Sequence, residues 1–71
     1  MKWRDVKSTN LHSVRFADGK LAVRFLSGAE YHYDDVDRAD FDEWMKASST
    51  GGHFNSHIRT KYTGTKKDNW R

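Results

Sequence analysis

Asn55 and Arg59 lie four residues apart in a stretch with helical periodicity, which sets a carboxamide and a guanidinium on one edge. Lys61, Lys66, Lys67 and Arg71 follow, interleaved with Tyr62 and Trp70. Such cations contact phosphates and flat rings stack on unpaired bases, so the run suits single-stranded nucleic acid. The plainer account is a solvated helix end whose cations offset the negative dipole. His53 and His57 share the four-residue spacing, in range of one metal ion, but the chain has no cysteine and no HExxH glutamate to complete a zinc site. They read as helix-edge histidines, and no metal or cofactor is expected. Asp34, Asp35 and Asp37 lack the offsets, central glycine and distal glutamate of a calcium loop; turn chemistry and helix capping account for them. Gly51-Gly52 could present backbone N–H groups to a phosphate, yet a glycine pair is expected wherever one helix stops and another starts. GxSxG, GKS/T and GxGxxG motifs are absent, so no acyl-transfer or nucleotide machinery is signalled and the protein reads as a non-enzyme.

The elements that must hold these residues follow from periodicity and turn chemistry. Leu11 to Ala17 alternates, with His12, Val14 and Phe16 on one side. Asp18-Gly19 is then a strong hairpin signal, because both turn positions tolerate positive φ. Lys20 to Leu26 alternates in step, pairing Phe16 with Leu21, Val14 with Val23 and His12 with Phe25, and so placing His12 in the core as a hydrogen-bonded structural histidine. At Ser27-Gly28 a two-residue loop would throw Tyr31 and Tyr33 onto the charged face. A three-residue loop with Gly28 left-handed instead pairs Val23 with Tyr31 and Leu21 with Tyr33, and sets Arg24 opposite Glu30. Arg15 and Arg24 then share the outer face with Ser13, Glu30 and His32. Val6 to Thr9 is a short candidate leading strand.

Asp37 is a good N-cap, with Asp40 three residues on and Val36 and Phe41 placed as a hydrophobic staple. The buried stripe of that helix is Phe41, Trp44, Met45 and Ser48. Ser49 or Thr50 caps a second helix over His53 to Tyr62, with Phe54, His57, Ile58 and Tyr62 on one side. From Thr63 onward only polar residues and Trp70 remain, a pattern that predicts a mobile basic tail.

Seventy-one residues bound the answer to one small domain, and 14% aromatic residues supply a core that a disordered chain would lack. No apolar run reaches the roughly 18 residues of a membrane span, and Met1-Lys2-Trp3-Arg4 does not open a signal peptide. With no cysteine, a cytoplasmic protein without membrane contact is expected. The net charge of +3 is unevenly spread: two basic ends flank residues 30–43, where seven carboxylates face one arginine. The fold must therefore decide whether the basic ends meet on one surface.

Tyr31-His32-Tyr33 is a YxY segment preceded by Leu21-Ala22-Val23-Arg24-Phe25 and Gly28. Val36 follows, then Ala47-Ser48-Ser49-Thr50-Gly51-Gly52-His53-Phe54-Asn55 and the residues Ile58, Arg59 and Tyr62. From about Val6 to Tyr62 this order resembles the KTSC domain, which occurs alone in bacterial and phage proteins and at the C-terminus of some lysyl-tRNA synthetases. The resemblance implies no established activity; its attachment to the synthetases implies RNA binding. It points at Tyr31, Tyr33, Ser49, Gly51, Asn55 and Arg59. The tyrosines have a core role in the register above and Ser49 and Gly51 a role at the helix joint, which leaves Asn55 and Arg59 with the most weight. Where the family pattern has a proline between YxY and the first helix, this chain has Asp37.

The expected architecture is α+β: a three-stranded antiparallel meander with two helices packed on one face, in the order β-β-β-α-α. Residues 1–62 form the single domain and 63–71 the tail. The expected function is a small non-enzymatic nucleic-acid-binding module for RNA or single-stranded DNA, using Arg15, Arg24, Asn55, Arg59, Lys61, Lys66 and Lys67. The alternative is a protein-interaction module, a phage-encoded modulator of a host protein. A monomer is expected in either case.

Overall fold

The computed structural model describes residues 3–67, 69 and 70; Lys2 and Arg71, counted above among the basic ends, lie outside them. Five strands form one antiparallel sheet in chain order: β1 (Arg4–Asp5), β2 (Leu11–Ala17), β3 (Lys20–Phe25), β4 (Glu30–Tyr33) and β5 (Gly64–Lys66). Between β4 and β5 the chain forms α1 (Arg38–Lys46) and α2 (Thr50–His53), the latter continuing into a π-helical turn over Phe54–Ile58. The α+β class holds, but the sheet has five strands where a three-stranded meander was expected. Among the described residues no helix is long and apolar enough to cross a membrane.

The central hairpins follow from local chemistry. Asp18 and Gly19 take φ of 50° and 76°, and the turn pairs Phe16 with Leu21 and Val14 with Val23. Gly28 takes φ of 104°, and β3 meets β4 with Leu21 opposite Tyr33, Val23 opposite Tyr31 and Arg24 opposite Glu30. The inner face then gathers Leu11, Val14, Leu21, Val23 and Tyr33 against Val36, Trp44, Phe54 and Ile58. Phe25, Tyr31 and Phe41 pack on this cluster half-buried. The indole N–H of Trp44 donates to the Thr50 carbonyl at 2.9 Å, which ties α1 to the start of α2.

His12 does not enter the core. Leu11, not His12, stands opposite Phe25, and the register shifts between Leu11 and Ser13. Leu11 and Val14 are both fully buried although their three-residue spacing would put them on opposite faces of a regular strand. A bulge absorbs the extra residue and sheds the polar imidazole to the outer face.

Both sheet edges lie outside the expected elements. The leading strand is Arg4–Asp5, not Val6 to Thr9, and pairs Arg4 with Val14 and Asp5 with Ser13. The segment expected as a tail supplies β5, which pairs Tyr31 with Lys66, His32 with Thr65 and Tyr33 with Gly64. Gly64 suits the place: a Cβ there would overlap the Tyr33 ring.

The helices differ in their ends. Asp37 occupies the N-cap position, but its carboxylate makes no capping bond. Instead the Tyr62 hydroxyl accepts from the Asp37 N–H at 3.1 Å and donates to Asp40 Oδ2 at 2.5 Å. Ser48 is exposed, because α1 ends at Lys46 and Ala47 is already extended. The second helix begins at Thr50, where Ser49 Oγ accepts from the Gly52 N–H at 3.2 Å, and not at His53. The wider π-helical turn buries Phe54 and Ile58 and rotates His57 outward, where it is exposed.

Candidate nucleic-acid interface and a second groove

The outer face of the sheet carries an aromatic and cationic cluster. Arg24 on β3 lies with its guanidinium carbon 3.9 Å from the Trp3 ring centroid and 5.3 Å from that of Trp70. Arg15 on β2 approaches the same Trp3 ring at 4.9 Å. Two chain ends bring these rings across: Trp3 leads into β1, and Trp70 follows β5. The Trp70 indole N–H donates to the Phe25 carbonyl and its backbone N–H to the Gly28 carbonyl, both at 2.9 Å. The shed His12 ring lies 4.5 Å from the Trp70 ring, and its Nδ1 is 2.9 Å from Ser13 Oγ.

Arg24 is held from below by Glu30. Arg24 Nε donates to Glu30 Oε1 at 2.9 Å, and His32 Nε2 hydrogen-bonds Glu30 Oε2 at 2.8 Å. Burial pushes the Glu30 carboxyl up, but the hydrogen bonds and charges of Arg24 and His32 outweigh it and leave it below its ordinary value. Beside this cluster a groove is lined by Arg15, Lys20, His32 and Lys67 together with the carboxylates of Asp18 and Asp34.

A second groove lies on the helix side of the β4–β5 edge. Tyr31, Tyr33, Asn10, Asn55 and Arg59 line it over a floor that includes Phe25 and Phe54. Asn55 and Arg59 stay on one side through the π-helical turn, as their four-residue spacing requires, with the Arg59 N–H closing on the Phe54 carbonyl at 2.9 Å. Tyr33 is only 4% exposed, yet its hydroxyl has no hydrogen-bond partner among the described residues. Burial pushes its phenol above the ordinary value, Tyr31 adds to this, and Arg59 opposes it. Asn10 is positioned by Ser8, whose hydroxyl donates to Asn10 Oδ1 at 2.8 Å. Gly51 leaves room for this pair: a Cβ on it would come within 2.9 Å of both Asn10 Oδ1 and Ser8 Oγ and would have to displace them.

The seven residues singled out from the sequence do not share one face. Arg15, Arg24 and Lys67 gather on the outer face, while Asn55 and Arg59 line the second groove. Lys66 stands opposite Tyr31 and so lies on the inner-face side of β5, away from Lys67. Lys61 pairs with Asp40, Nζ to Oδ2 at 2.7 Å, away from the outer-face cluster. Trp3, His12 and Lys20 are contact residues that the sequence does not point to; Trp70 is expected from it as a stacking ring in the basic run, but only pairing of the two sheet edges brings it and Trp3 to Arg24. The His53 and His57 rings stack at 4.2 Å, and among the described residues no group of three metal-ligating side chains forms.

Residues 7–62 match the family described as the KTSC domain. The chain is also similar to the crystal structure of a KTSC domain protein from Yersinia pestis, at 25% identity and a TM-score of 0.84, over 93% of this chain and 96% of that one. Among curated proteins, none matches.

Proposed function

The chain belongs to the KTSC domain family, and from the way it decorates that fold we propose that it is a small non-enzymatic module binding single-stranded nucleic acid, RNA or DNA, on the outer face of its sheet. The observation that carries this reading is the half-buried Trp3–Arg24–Trp70 stack on the sheet face away from the helices. Flat rings and guanidinium planes stack on unpaired bases, and that interaction tolerates any base. Arg15, Lys20 and Lys67 flank the stack and supply phosphate contacts, while Glu30 and His32 hold Arg24 in place. The accessible surface is 4803 Å², and a single nucleic-acid module covers about 600–1,000 Å². One strand would therefore occupy most of this face.

The test is a fluorescence-polarisation titration of a short labelled oligonucleotide at several salt concentrations. Three phosphate contacts predict a log–log salt slope of roughly −2, at about −0.7 per phosphate. Lys67→Ala should flatten the slope by about 0.7, whereas Lys66→Ala, on the other side of β5, should leave it unchanged. Trp3→Ala should weaken binding by about 1–3 kcal/mol per stacked base with little change of slope. Binding no tighter than millimolar at low salt would remove this reading in favour of a protein partner. Equal effects of Lys66→Ala and Lys67→Ala would remove the outer face as the site.

A further inference from the structure

The second groove is built from donors. Arg59 is exposed and carries no ion pair among the described residues, although Lys61, two positions on, is matched to Asp40. The Tyr33 hydroxyl is unpartnered on a side chain that is otherwise buried. No buried side-chain polar atom lacks a partner among the described residues, so this hydroxyl must be open to solvent, and it lies against Gly64 at the groove. Asn10 has its Oδ1 occupied by Ser8, which leaves its N–H groups for a ligand. Asn55 and Tyr31 add a carboxamide and a second phenol, and among the described residues no carboxylate lines the groove. Its volume is about 450 Å³, within the ~300–1,000 Å³ of small-molecule sites.

The geometry points to a binding site for a carboxylate carried on an apolar or aromatic body: Arg59 takes the two oxygens as a fork, Tyr33 and the carboxamides add hydrogen bonds, and the Phe25–Phe54 floor takes the body. Among the described lining residues Arg59 is the one cation, surrounded by neutral donors; this matches a planar monoanion better than a dianionic phosphate, which draws several cations. This site is independent of the outer-face reading: Arg15, Arg24, Lys20, Lys67, Trp3 and Trp70 do not line it, and Tyr33 is the one described residue that borders both grooves. The same chemistry is offered by a free carboxylic acid and by the C-terminus of a peptide.

A ¹⁵N-resolved NMR titration of the full chain separates these. The probes are 3-phenylpropionate, its primary amide, phenyl phosphate, and a tetrapeptide ending in phenylalanine with a free or an amidated C-terminus. The expected result is that 3-phenylpropionate shifts the backbone signals of Tyr33, Asn55 and Gly64, and that its amide binds at least about tenfold more weakly. Arg59→Gln should abolish the shifts at unchanged melting temperature, Arg59→Lys should weaken binding because the fork is lost, and Tyr33→Phe should weaken it several-fold. Binding of the free-ended tetrapeptide but not its amide assigns a chain end as the source; binding of the small acid alone assigns a free acid. No shift at millimolar 3-phenylpropionate, equal binding of its amide, equal binding of phenyl phosphate, or full binding by a folded Arg59→Gln variant would each overturn the proposal. None of these outcomes bears on oligonucleotide binding at the outer face.

Discussion

Replacing Trp70 by alanine tests whether the chain beyond β5 belongs to the folded unit. The indole N–H donates to the Phe25 carbonyl, the ring rests on His12, and Arg24 lies 5.3 Å from its centroid. A net hydrogen bond contributes about 1 kcal/mol, a ring pair about 0.5–1.5 and an exposed cation–π contact about 0.5–1, so the loss should be roughly 2–3 kcal/mol. In a domain this size each kcal/mol moves the midpoint by about 4–8 °C, which sets the expected fall at roughly 10–20 °C. Trp70→Phe retains a ring but not the donor and should lose only about 1 kcal/mol. Thermal unfolding followed by circular dichroism reads both variants, with an exposed outer-face control such as Thr65→Ala expected to stay near the parent. A Trp70→Ala midpoint within about 2 °C of the parent would refute the reasoning, because it would mean that the ring and its hydrogen bond add nothing to the fold.

Gly64→Ala should destabilise by about 1–3 kcal/mol, because its Cβ must displace the buried Tyr33 ring or lift β5 from β4; chemical denaturation with an unchanged midpoint would contradict this. Hydrogen bonds from Lys61 and then Tyr62 hold the Asp40 carboxyl below its ordinary value. The stability this brings is present above the unfolded value and is lost as pH falls through the folded one, so the melting temperature should drop on acidification below the ordinary carboxylate range. Asp40→Asn should flatten that part of the profile and leave the share that Glu30 contributes with the same sign; an unchanged profile would remove Asp40 as its source.

Local chemistry made the middle of this protein legible. Asp18-Gly19 and Gly28 demand positive φ, and once their loop lengths are set the period of two places Val14, Leu21, Val23, Tyr31 and Tyr33 on one face. The Arg24–Glu30 pair and the Asp37 N-cap position follow from the same short-range rules. The helical part of the core is readable from spacing within each element: Phe41 and Trp44 stand three apart on α1, and Phe54 and Ile58 four apart on the π-helical turn.

Tertiary structure decided the rest, because the deciding partners are remote in sequence. A two-residue strand such as Arg4–Asp5 has no periodicity of its own and exists only because β2 offers it unpaired N–H and C=O groups. β5 is a polar Gly-Thr-Lys segment, held by its pairing to β4 and not by any pattern within it. The bulge at His12 arises from competition between Leu11 and Val14 for the core, which strict alternation has no means to show. These three events place the two candidate surfaces. The edge strands carry Trp3 and Trp70 onto Arg24, and β5 sends the adjacent Lys66 and Lys67 to opposite sides of the sheet. Sequence could name the cations and rings, but which of them share a face depended on sheet edges that only the folded backbone creates.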